Sequence, residues 1–292
     1  MSGPSGTRPV VVGVDGSPAA DRALRWAAAE AVLRRAPLLV VAALPGQGVG
    51  ELTGVVTAAA VAHRTATSER LAGAAEVARG LGAGPVRTEL DPGPAVAALL
   101  ARSESALLVV VGSQGLAERS DGLAHSVSTA VSAHARCPVV VVPGAGADRG
   151  PVVVGVDGST TSDRAVELAF LEAELRGADL VAVHSWIDLD LASVYALDSS
   201  AVELDPVLLQ AAHTGVLARA LADPAARHPG VVVREVVVQD RPVRTLLAQS
   251  AGAQLVVVGS HGRGGFTSML LGSTSRALLH AADCPVVVVR AP

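Results

Sequence analysis

The sequence predicts an α/β protein made of two tandem copies of one module, each a five-stranded parallel open sheet flanked by helices. Three observations lead there. Short valine runs alternate with alanine-rich stretches of helical period, as expected for strands buried on both faces by the helices that connect them. The stretch VVVGVDGS occurs twice, at Val10–Ser17 and at Val152–Ser159. Other landmarks then recur in the same order: LVVVGS ending at Ser113 and at Ser260, and Cys-Pro before four valines at Cys137 and Cys284. The 292 residues suit two domains of ordinary size. The Gly- and Pro-rich stretch after Pro143 divides them into residues 1–143, a linker at 144–150, and residues 151–292.

Each element has its own reason. Val10–Val14 is a buried strand that ends at Asp15; Ser17 supplies an N-cap and Pro18 a first helical residue. Ala20, Leu24, Ala27 and Ala31 then recur at helical spacing. A second strand is expected near Leu38–Ala43, followed by a loop and a long helix. A third strand lies near Val86–Leu90, a helix over Ala95–Ser103, a fourth strand over Leu107–Val111 and a fifth over Val139–Val142. With half the residues hydrophobic and only 2% aromatic, the core must be Val, Leu and Ala. Right-handed crossovers join such strands, and ligands bind beyond their carboxyl ends where strand order reverses.

Composition excludes several functions. A net charge of −4 with no basic stripe argues against nucleic-acid binding. All 23 basic residues are Arg, so a P-loop lysine and Schiff-base chemistry are both out of reach. Charged residues interrupt every apolar run before the roughly 18 residues a membrane span needs. The start of the chain shows no signal-peptide pattern, and two cysteines make no disulfide framework, which points to a reducing cytoplasm.

The chemistry concentrates in the second copy. Gly259, Ser260, His261 and Gly262 follow a strand directly, and nine residues after Gly262 come Gly272 and Ser273, then Thr274 and Ser275: G-x2-G-x9-G-S. Gly259 and Gly262 allow a sharp turn and a close backbone approach to an anion. Ala277, Leu278 and Ala281 put a helix start at Gly272–Ser275, where unpaired N–H groups, a positive dipole end and hydroxyls suit phosphate. Arg263 can add charge, and Gly264 and Gly265 extend the loop.

The VGVDGS strand end, the GSHGRGG loop, the Gly-Ser nine residues on and the final CPVVVV together resemble the universal stress protein family in its tandem-domain form. The likeness covers nearly the whole chain. It implies two Rossmann-like (adenine nucleotide alpha hydrolase-like) domains and, in motif-bearing members, binding of ATP with Mg²⁺. By position, Asp157 would meet the ribose, Gly155 would lie near the adenine, and Gly259, Gly262, Gly272 and Ser273 would hold the phosphates. A further adenine contact would fall near His184–Trp186. No metal ligand from protein side chains is implied. The resemblance also implies that the last strands pair antiparallel about a pseudo-two-fold axis, so that one chain mimics a family dimer; a dimer of chains stays open.

The first copy departs from the pattern. It keeps Gly13, Asp15, Gly112, Ser113, Gly115 and Ser126, but His125 stands where Gly272 stands in the second copy, and Leu116 replaces Arg263. Glu118 and Asp121 add negative charge between them. A weaker or absent nucleotide site is expected there. Cys137 and Cys284, at matched positions before the last strands, lack CxxC spacing and read as small buried residues. His184 reads as a core histidine, and Trp186 and Tyr195 fall in a long segment between a strand and its helix, Ser185–Pro206, that either covers the nucleotide or is solvated.

Three functional readings follow. The first is a nucleotide-dependent regulatory module that is not an efficient enzyme, since no Glu or Lys stands ready to activate water beside the phosphates. The second is a partner-binding scaffold that does not use nucleotide. The third is an adenylating enzyme, for which the SGGxDS and HIGH signatures are missing.

Overall fold

The computed structural model describes residues 8–44, 58–113, 127–144, 149–187, 205–262 and 271–290. The first domain runs β1 (Val10–Gly13), α1 (Pro18–Leu33), β2 (Leu38–Ala43), α2 (Ala58–Gly80), β3 (Val86–Asp91), α3 (Ala95–Ser103), β4 (Leu108–Gly112), α4 (Val127–His134) and β5 (Val139–Val142). The second runs β6 (Val152–Gly155), α5 (Thr160–Arg176), β7 (Leu180–Trp186), α6 (Pro206–Arg227), β8 (Val233–Gln239), α7 (Pro242–Ser250), β9 (Leu255–Gly259), α8 (Ser273–Ala281) and β10 (Val286–Val289). The valine runs form the central strands because β-branched side chains pack well on a pleated surface buried on both sides. Val10, Val11 and Val12 are all fully buried, as are Val152, Val153 and Val154.

Both VDGS turns work alike. Gly16 and Gly158 take the left-handed backbone (φ 83° and 74°) that the reversal demands. Ser17 then caps α1 by accepting from the Ala20 N–H at 3.1 Å, and Ser159 caps α5 by accepting from Ser162 at 3.2 Å. At its other end α5 stops at Gly177, also left-handed at φ 58°.

Within each domain the strands are parallel, in the order β3-β2-β1-β4-β5 and its repeat β8-β7-β6-β9-β10. The two sheets meet edge to edge. β5 and β10 pair antiparallel, with Val140 opposite Val287, giving one ten-stranded sheet. Two apolar layers cover its faces and run across both domains: α1 and α5 pack on one, α3, α4, α7 and α8 on the other. Cys137 and Cys284 lie at opposite ends of the β5–β10 pair, both free and buried. Burial pushes their thiols up to about 12 and about 11, so they are inert core residues.

On the α1/α5 side the seam holds a closed ring of charge. Arg34 bonds Glu30 on its own helix and Glu172 across the seam; Arg176 bonds Glu172 and reaches back to Glu30 at 2.5 Å. Both carboxylates are 1% exposed. The Arg176 guanidinium also sits over the Trp26 ring, 5.7 Å from its centroid. Among the described residues, no helix is long and apolar enough to cross a membrane.

Candidate functional site

β6 and β9 are neighbours from which the chain leaves to opposite faces of the sheet, into α5 and toward α8. The crevice at their carboxyl ends is therefore a switch point, where backbone groups of two loops face one another without helix cover. A cavity of about 510 Å³ opens there. One end is apolar, walled by Val156, Val183, Pro242, Leu246 and Val258 around Gly155. The other end is polar, walled by Asp157, Ser162, His261, Gly262 and the Gly272–Ser275 turn.

Each polar group is fixed by the chain around it. The Asp157 carboxylate accepts from the Ser159 N–H at 2.9 Å, which orients it at the mouth of the turn. Ser162, at the start of α5, accepts from Gly158 N–H at 3.2 Å. The loop after β9 is held at three points. Thr161 donates to the His261 carbonyl at 2.6 Å, Ser260 N–H to Val289 O at 2.7 Å, and Gly272 N–H to Ser260 O at 2.7 Å. Ser275 donates its hydroxyl to Gly259 O at 2.6 Å. The described ends of the loop, Ser260–Gly262 and Leu271–Gly272, are thus tied to β10, α5 and the start of α8.

Gly272 is the N-cap of α8, and among the described residues no side chain caps this end. First-turn N–H groups have no intrahelical acceptor, so this end presents donors and a positive dipole end to the cavity. The Ser273 and Thr274 residues that carry them line it.

The structure brings together Gly155, Asp157, Gly259, His261, Gly262, Gly272, Ser273, Thr274 and Ser275 around one space. Arg263, Gly264 and Gly265 lie outside the described residues. Ser260 does not line the cavity: it is 1% exposed, and its hydroxyl contacts the His261 ring at 3.0 Å. The glycines make room for their neighbours. A Cβ on Gly259 would stand 3.1 Å from Thr161, and one on Gly262 only 2.2 Å from an Asp157 carboxylate oxygen. Gly259 is needed for helix α5 to close on the strand, and Gly262 leaves room for Asp157.

The segment His184–Trp186 divides by strand parity. Ser185 and Val183 face the cavity. His184 points into the opposite layer, buried, with Nδ1 at 2.7 Å from Val156 O and Nε2 at 2.9 Å from His213 Nδ1. Trp186 stacks on the same His213 with centroids 4.3 Å apart. Sequence reasoning missed the apolar wall of Val156, Val183, Pro242, Leu246 and Val258, and with it Ser162. Only the Ser162 position, three residues past the cap, carried a signal.

In the first domain, Gly13, Asp15, Gly112 and Ser113 occupy the matching strand ends, and Asp15 accepts from Ser17 N–H at 2.9 Å. Gly115, His125 and Ser126, like Leu116, Glu118 and Asp121, lie outside the described residues.

A model of the universal stress protein family matches the chain twice, over residues 6–143 and 149–290. One universal stress protein of Mycobacterium tuberculosis is 43% identical over 303 residues, covering 99% of each chain. A second from the same organism is 38% identical over 300 residues, again 99% of each. Among solved structures, a universal stress protein from Archaeoglobus fulgidus superposes with a TM-score of 0.68, covering 98% of this chain and 97% of that one at 19% identity.

Proposed function

The chain belongs to the universal stress protein family, and from that premise we propose that it is an ATP-binding regulatory module with its competent site in the second domain. One observation carries this reading. The cavity joins an apolar slot around Gly155, of a kind that takes a planar base, to an uncapped helix start at Gly272–Ser275 that suits phosphate. Asp157, in the wall of the polar end, would accept from ribose hydroxyls. Mg²⁺ would travel with the phosphates of ATP, and no side-chain cluster is assigned to it.

We read the module as no efficient hydrolase: the carboxylate lining the cavity, Asp157, belongs to the ribose position and not to a water-activating one. The first domain is the weaker site or an empty one, because His125 replaces the glycine at the helix start.

Denaturing the protein purified from cells and analysing the supernatant is expected to release an adenine nucleotide. Asp157→Ala should weaken ATP binding by about 1–3 kcal/mol through lost hydrogen bonds, read by calorimetric titration with Mg-ATP. No bound nucleotide and no binding of added Mg-ATP would replace this reading with a scaffold that works without nucleotide.

A further inference from the structure

A second cavity, of about 600 Å³, opens on the seam between the domains. It lies where the amino end of β5 meets the carboxyl end of β10. Five arginines line it: Arg8 and Arg136 from the first domain, Arg164, Arg227 and Arg290 from the second. The carboxylate in its wall is Glu167, bonded to Arg227. In a chain of net charge −4 this is a strong local reversal of sign.

The fold accounts for one of these arginines. Arg164 donates to the Arg290 carbonyl at 2.9 Å, and its repeat counterpart Arg22 does the same to the Pro143 carbonyl at 2.8 Å. That bond closes the end of the last strand in both copies. Arg227 pairs with Glu167, while Arg136 and Arg290 have no such explanation. Across the pseudo-two-fold, Asp283 stands at the position of Arg136 and Pro143 at that of Arg290. The module therefore folds without them. Nη1 of Arg290 is buried with no hydrogen-bond partner among the described residues. Burial and the nearby Arg136 also pull the Arg290 pKa down, as expected for guanidinium groups held near one another without an anion.

We propose that this interdomain cleft binds a small, multiply phosphorylated anion. Guanidinium forks match phosphate oxygens in pairs, and several converging arginines suit several phosphoryl groups better than one. The volume lies in the range of small-ligand pockets, about 300–1,000 Å³. An occupant would bridge Arg8 and Arg136 on one domain to Arg164, Arg227 and Arg290 on the other. The cleft is separate from the nucleotide cavity and does not depend on how that cavity is read.

The probe is inorganic triphosphate, titrated into the full chain by calorimetry in low and moderate salt. Triphosphate held at the glycine-rich loop of the second domain is common to wild type and the arginine variants, so the cleft is read from the difference between them. Binding is expected, weakening with salt, and the double change Arg136→Ser, Arg290→Ser should reduce it at least tenfold with an unchanged unfolding midpoint. If the double variant fails to fold, Arg290→Gln alone should still lower affinity several-fold. Equal binding by the arginine variants, or no triphosphate binding at all, overturns the proposal. So does an acidic peptide that binds through the same arginines when triphosphate does not.

Discussion

Gly112 and Gly262 both follow or flank a strand end, yet a methyl added at each would meet different neighbours. At Gly112 it would stand 2.8 Å from the Ala19 carbonyl carbon and 2.9 Å from its oxygen, backbone that starts α1 and cannot yield. Gly112→Ala is expected to cost about 1–3 kcal/mol by overpacking, read as a lower urea midpoint. At Gly262 the methyl would meet the Asp157 carboxylate, the end of a side chain that can rotate away. Gly262→Ala should leave stability within about 1 kcal/mol of wild type while weakening ATP binding about as much as Asp157→Ala. Equal loss of stability in both variants would mean the two glycines do the same job. The sequence marks both as glycines of one motif; which obstacle each avoids is set by the partner element. Gly272 shows the same division. Its φ of −66° suits any residue, and a Cβ there would meet the Ser260 carbonyl at 3.1 Å, not an open phosphate site.

At the scale of the element, capping distinguishes the helices that build the site. α5 is stapled by Ser159, whose hydroxyl accepts from Ser162 and contacts Thr161 at 3.0 Å. Ser159→Ala should cost about 1 kcal/mol, and it should also loosen Thr161, the residue that holds the His261 carbonyl. Paired thermal unfolding and ATP titration check this; a stability loss with no change in affinity would show that the loop is held without Thr161. α8 has the opposite design, an uncapped start whose donors face the cavity. The helices themselves were legible in sequence, from Ser-Pro after the VDG turn and from apolar spacing. Which face of β7 meets the cavity was not: that Ser185 does, and His184 does not, depends on α7 covering one face and α6 the other.

At the scale of the molecule, the ring of Glu30, Arg34, Glu172 and Arg176 decides how firmly the two domains hold. Each pair on one helix is spaced i,i+4 and reads in sequence as a solvated face. Only the antiparallel β5–β10 pairing brings α1 and α5 together and buries all four. Arg34→Met leaves two buried carboxylates to one cation and should cost about 3–5 kcal/mol, seen in the unfolding midpoint of the full chain. Burial and Glu30 together hold the Glu172 carboxyl above its ordinary value, against Arg176 and Arg34. A carboxyl raised on folding contributes stability fully only below its unfolded value of about 4.3, and the contribution is lost as pH rises through the folded value. The stability of wild type relative to Glu172→Gln should therefore improve as pH falls from above the folded value toward the unfolded value of about 4.3; a flat difference would mean the ring stays fully ionised throughout.

The sequence by itself determined the duplication, the strands and the position of the glycine-rich loop. Runs of valine fit only strands covered on both faces, and glycines, serines and aspartates at turns state their local geometry directly. Tertiary structure decided what local rules cannot reach: that Ser260 turns inward, that Leu246 and Pro242 complete the apolar slot, and that charges far apart in the chain close into a ring on one part of the seam and gather as a cluster of arginines on another. Those outcomes depend on which surfaces meet, and no spacing within a single element encodes the surface it will face.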